Sequence, residues 1–174
     1  LGYGSYHDMR LIASNYTKVN EQLGLSFSGN YHHNDGFFTN LHTHKKADKL
    51  DNGAGRIGLT WKPAAHWTTR FITSYEYSNQ GGYPYGLYNA DKGTTEAVNY
   101  NNEGLYRRNL LTSGINIRYN GPHISFNSQT SYQYIQDKMG IDQDFSPRNI
   151  FYGQNKIRQH ICLLYTSPSP RDTE

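Results

Sequence analysis

The chain has no apolar run of about 20 residues, the length an α-helix needs to cross a bilayer. It has one cysteine, so no internal disulfide can form. Charge is scarce as well, with 17 Lys and Arg against 14 Asp and Glu in 174 residues. The net charge of +3 is too mild to imply a nucleic-acid partner. No Gly-rich phosphate loop, Cys-x-x-Cys pair or nucleophile elbow occurs. Glu76 and Asp142 could be called a carboxylate pair, but nothing in their spacing brings them together. The chain is therefore not expected to be an enzyme, and no cofactor is expected. It begins with Leu1 and lacks a signal-peptide pattern, which is expected of a processed or cut end.

Aromatic residues are what the chain has in plenty. Sixteen tyrosines help bring aromatics to 14%. A mean hydropathy of −0.84 would ordinarily indicate a very polar soluble protein or disorder. Disordered chains, however, are poor in aromatics and rich in charge, the reverse of this one. A polar, Tyr-rich chain short of charge fits a transmembrane β-barrel. Its strands need only about 9–11 residues each, and only one face of each strand must be apolar.

Period two dominates the pattern. In 23–33, Leu23, Leu25, Phe27, Gly29 and Tyr31 point one way. In 53–62, Ile57, Leu59 and Trp61 oppose Arg56, Gly58 and Thr60. In 67–78, Trp67, Phe71, Tyr75 and Tyr77 oppose Thr68, Arg70, Ser74 and Glu76, with Ile72 an exception. The alternation recurs in 107–120 and 123–136, and less cleanly in 2–16. Short connections at 17–22, 63–66 and 120–123 alternate with long ones at 34–52, 79–105 and 138–156. Asn120-Gly121 is strong hairpin chemistry, because both residues tolerate positive φ. Short turns at one end and long loops at the other are the arrangement of outer-membrane barrels. Trp61, Trp67 and Tyr119 flank the short turns, while Tyr31, Tyr75, Tyr77, Tyr132 and Tyr134 lie toward the long loops. Two aromatic levels with aliphatics between them match two interfacial girdles. The expected fold is an all-β antiparallel meander of about six strands, a barrel fragment that forms a curved open sheet in isolation.

The end of the chain breaks the pattern. The string Cys162 to Asp172 looks like a translated transposase end and adapter from sequencing-library chemistry. Residues 161–174 are therefore expected to be a non-native tail, and 1–160 the partial barrel. The alternative is a natural Pro-rich linker.

Several segments carry a family resemblance. Tyr3-Gly4-Ser5-Tyr6, followed by a strand and then Asn34-Asp35-Gly36-Phe37-Phe38-Thr39-Asn40, resembles the start of the barrel in TonB-dependent outer-membrane receptors. The stretch from Gly55 to Pro63 with Trp67 resembles their next hairpin, and Tyr106-Arg107-Arg108-Asn109 and Met139 to Pro147 are similar to later segments. The resemblance implies a barrel of about 22 strands plugged by an N-terminal domain. It also implies an outer-membrane location in a diderm bacterium. The partners would be outer-membrane lipid, the plug, TonB and a scarce extracellular solute: an iron chelate, haem, cobalamin or a glycan. Neither plug nor TonB box lies in this sequence. Rival expectations are a porin or adhesin barrel without a plug, and a secreted soluble β-sandwich that binds glycans.

Candidate site residues follow from chemistry. Tyr83 and Tyr85 sit on a Gly/Pro scaffold in a long loop, where aromatic rings offer adaptable contact surfaces. Arg56, Arg70 and Arg118 share the polar face with Glu76 and could meet a plug or an anionic solute, or serve only lumen solvation. His32-His33 and His42-x-His44 are the metal-like cluster, since alternate strand residues share a face. The neighbouring Lys45 and Lys46 disfavour a cation there, so a solvated loop is the expected reading and metal or haem capture the minor one.

Overall fold

A computed structural model of the chain describes residues 1–170. The strands are β1 Gly2–Tyr3, β2 Met9–Lys18, β3 Leu23–Asn34, β4 Leu50–Trp61 and β5 Trp67–Gln80. Then follow β6 Tyr88–Asn89, β7 Thr94–Thr95, β8 Leu105–Asn120, β9 Ile124–Asp142 and β10 Tyr152–Pro170. Eight of them form one antiparallel sheet in the order β1-β2-β3-β4-β5-β8-β9-β10. The sheet does not close, because its end strands β1 and β10 lack a mutual pairing. β6 and β7 make a separate ribbon inside one long loop.

Opposed residues in an antiparallel pair share a face, so the register assigns every side chain. One row runs Leu25, Leu59, Phe71, Ile115, Thr130, Leu164. The next row toward the long loops runs Phe27, Ile57, Thr73, Ser113, Tyr132, Cys162. Tyr31, Tyr75, Tyr77 and Tyr134 lie on the same face above them, and Trp61, Trp67, Tyr119 and Phe126 below. The opposite face carries Ser26, Arg56, Thr60, Arg70, Ser74, Asn116, Arg118, Asn127 and Gln129. The β-branched and aromatic residues of the first face favour extended backbone. Hydroxyl and amide side chains bridge strands on both faces, as in Thr73 with Ser113 at 2.8 Å on the first and Asn116 donating to Asn127 at 2.9 Å on the second.

Both faces stand open. Phe27 is 54% exposed and Ile57 55%, so nothing packs over the apolar face. The buried hydrophobic residues, Ala47, Val98 and Tyr100, lie in loops rather than on the sheet. This is the reverse of a β-sandwich, whose core is the space between two inner faces. Among the described residues the second sheet is only the short β6–β7 ribbon.

The open antiparallel meander is the expected fold, with three differences. The sheet has eight strands rather than about six, because a seventh long strand, β10, follows the third long loop and a two-residue β1 precedes β2. That loop is also shorter than expected, 143–151, since β9 and β10 extend to Asp142 and from Tyr152. Nor does the expected boundary at 161 break the strand: Cys162 to Pro170 pair with Tyr132 to Ile124. Backbone pairing is tolerant of side chains, and prolines are accepted on an edge strand because their missing N–H leaves no inner ladder bond broken. The rest of that tail, 171–174, lies outside the described residues.

Unpaired edges and an uncovered apolar face make the isolated segment association-prone. Expressed alone without detergent, it should sediment as aggregate, and detergent or lipid should be needed to keep it dispersed. A monodisperse soluble monomer in analytical ultracentrifugation would contradict this.

Candidate functional site

The three long loops, 35–49, 81–104 and 143–151, meet at one end of the sheet. The turns 19–22, 62–66 and 121–123 lie at the other. Local chemistry explains how the loops leave the strands. The Asn34 side-chain carbonyl accepts from the Gly36 N–H at 2.7 Å, an Asx turn. Gly36 has φ 95°, and a Cβ there would sit 2.7 Å from the Asp48 carboxylate. The same carboxylate accepts from the N–H groups of Phe37 and Phe38, each at 2.9 Å, and so closes the loop base.

Asn40 then ties two loops together. It is 1% exposed. Its Nδ2 donates to the Tyr100 carbonyl at 2.8 Å, and its Oδ1 accepts from the N–H groups of His42 and Tyr100 at 3.0 and 3.3 Å. The Leu41 N–H donates to the Val98 carbonyl at 2.9 Å, and Lys45 pairs with Glu103 at 2.7 Å. The third loop joins through Asn101, whose N–H donates to the Ser146 carbonyl at 3.3 Å. Asp142, buried at the end of β9, accepts from Asn102, Phe145 and Asp144 N–H groups at 3.1, 3.2 and 3.3 Å. The loops thus form one packed cap.

Beneath the cap lies a cavity of 360 Å³. Tyr83, Tyr85 and Phe145 form an aromatic wall: ring centroids are 5.8 Å apart for Tyr83 and Tyr85, and 5.0 Å for Tyr85 and Phe145. Tyr100, Tyr106 and Gln80 also line it. Burial pushes the Tyr100 phenol above its ordinary pKa. Its hydroxyl, like that of Thr43, is buried with no hydrogen-bond partner among the described residues.

The candidate residues from the sequence divide three ways. Tyr83 and Tyr85 are brought together in the cavity, joined by Tyr100, Tyr106 and Phe145, which sequence reasoning did not single out. Arg56, Arg70 and Arg118 do share the polar face, on three neighbouring strands. The ion pair on that face is a different one: Arg108 and Asp137 lie directly opposite and bond bidentately at 2.9 and 2.8 Å. The alternation alone sets no register between these strands, so the pair was not legible in the sequence. The histidine cluster is not a unit. His42 sits in a turn, and His44 has φ 57° with its N–H on the Asn40 carbonyl, so the two do not share a strand face.

His32 and His33 instead belong to a carboxylate rim on the first strands. His32 meets Asp8 at 3.1 Å, and His33 meets Asp51 at 2.6 Å and Asp35 at 3.2 Å. His7 also pairs with Asp35, which pins the segment between β1 and β2 to the loop after β3. The Asp35 N–H donates to the Tyr6 carbonyl at 3.0 Å in the same contact. His7, then His33, hold the Asp35 carboxyl below the ordinary 3.8, and His32 does the same for Asp8.

Two outcomes follow. Asn40→Ala leaves the Tyr100 N–H and carbonyl unpaired in a buried site, a cost of about 1–3 kcal/mol. Amide exchange in 81–104 should speed up while strand amides stay protected; equal protection in both proteins would show that Asn40 does not hold the cap. A carboxyl with a depressed folded pKa stabilises above its unfolded value, and that contribution is lost as pH falls through the folded one. The 4–8 segment should therefore exchange faster as pH drops below about 4, after correction for intrinsic rates. Asp35→Asn should abolish most of the step.

Compared with known proteins, the chain matches no family model and no curated sequence.

Proposed function

We propose that the chain is part of the barrel wall of a TonB-dependent outer-membrane transporter that imports a scarce solute. The observation that carries this reading is the continuous two-faced register. Trp67 and Tyr77 bound one apolar face and lie ten residues apart on β5. That is about 33 Å along the strand. At a barrel tilt of 35–45° it projects to about 25 Å, the height of a lipid-facing band. The exposed apolar side chains then contact acyl chains, and the aromatic rows sit at the two interfaces.

In this reading the polar face lines the barrel interior. Arg56, Arg70 and Arg118 would meet the plug or a passing anionic solute. The cap and its cavity would face outside the cell, where solute is captured. Plug, TonB coupling and proton-gradient drive come from the family resemblance. A lipid-facing band argues against the soluble sandwich.

The reading of the face has a direct consequence for stability. Phe71→Arg puts a charge at the middle of the band and should cost about 2–4 kcal/mol in the intact barrel. Ile72→Arg faces the polar side and should cost under about 1 kcal/mol. Urea unfolding in lipid vesicles reads the difference; equal costs would contradict the assignment. Transport itself is tested on the whole gene. Its upstream region should encode a plug and a TonB box, and solute uptake should stop when TonB is deleted. Uptake that persists without TonB would support a plain porin instead.

A further inference from the structure

We infer that the cavity beneath the loop cap binds an uncharged saccharide ring. This rests on the reading of the capped end as extracellular, and it names the solute class for that site.

Size is the first argument. At 360 Å³ the cavity lies near the lower end of the range of about 300–1,000 Å³ for ligand sites. That volume accommodates one or two six-membered rings. Charge is the second. Among the described residues no Lys or Arg lines the cavity. Its one ionisable acid, Asp142, is consumed by the N–H groups of Asn102, Asp144 and Phe145. The nearby Arg108, 5.4 Å from the Tyr106 ring centre, is committed to Asp137. An anionic iron chelate or a haem carboxylate would find no cation here.

Wall chemistry is the third argument. Tyr83, Tyr85 and Phe145 present ring faces, on which the C–H face of a pyranose packs well. Saccharides also carry many hydroxyls. Gln80, whose Nε2 also donates to the Ser78 hydroxyl at 3.1 Å, offers its side-chain amide to them.

The test uses the intact protein from the full gene, purified from the outer membrane in detergent. It is titrated by calorimetry with neutral gluco-, manno-, galacto- and xylo-oligosaccharides, and with ferric citrate and haemin. At least one neutral oligosaccharide should bind. Tyr85→Ala and Phe145→Ala should each weaken it about tenfold. Tyr88→Ala on the exposed ribbon should not. Failure of every neutral oligosaccharide to bind the folded protein would overturn the inference, as would binding indifferent to Tyr85 and Phe145. Ferric citrate or haemin binding that depends on those residues, without saccharide binding, would overturn it while leaving the transport reading intact. Saccharide binding with TonB-independent uptake would do the converse.

Discussion

A one-residue slip at any of the six interfaces between long strands would move every side chain beyond it to the other face. From β2 to β10 the ladder runs without such a slip. That constraint makes the apolar rows continuous, keeps Arg56, Arg70 and Arg118 on one side, and sets Arg108 against Asp137. It also fixes which strand ends carry the long loops. Backbone pairing supplies the ladder, but the alternation of side chains selects this register over its neighbours.

The sheet has little reason to exist in water as it stands. Its buried apolar residues are few and lie in the cap, not between layers. Under the proposed reading a lipid phase would resolve the contradiction, because acyl chains solvate an apolar face that is unfavourable in water and the inner strands are paired on both sides. The unpaired outer edges of β1 and β10 would then meet further barrel strands. The cap is a different kind of structure, held by side-chain to backbone bonds from Asn34, Asn40, Asp48 and Asp142. It can therefore vary in sequence without disturbing the sheet.

The wall was legible in the sequence because period two is a local signal. Leu23 to Tyr31 and Trp67 to Tyr77 announce their faces within one strand, and Asn120-Gly121 announces a turn. β10 was hidden by the tail, whose Pro and Ser break the alternation although its backbone pairs. The cap was hidden for another reason. Asn40 and Tyr100 meet across sixty residues, and loop contacts have no period to read. Tyr83 and Tyr85 could be picked out by their Gly/Pro setting, but Tyr100, Tyr106 and Phe145 had no comparable local mark. The adjacent histidines lie on opposite faces and meet separate carboxylates, contacts that residue spacing alone does not show.

The central claim is that one face of this sheet meets lipid and the other meets water. A nitroxide scan along β5 in the intact protein, reconstituted in vesicles, tests it most directly. Collisions with lipid-soluble oxygen and with a water-soluble nickel chelate are measured at each position from 67 to 80. The account predicts a period of two: oxygen dominates at 69, 71, 73 and 75, and the nickel chelate or protein contact at 68, 70, 72 and 74. Equal access of the nickel chelate to both sets of positions would contradict it.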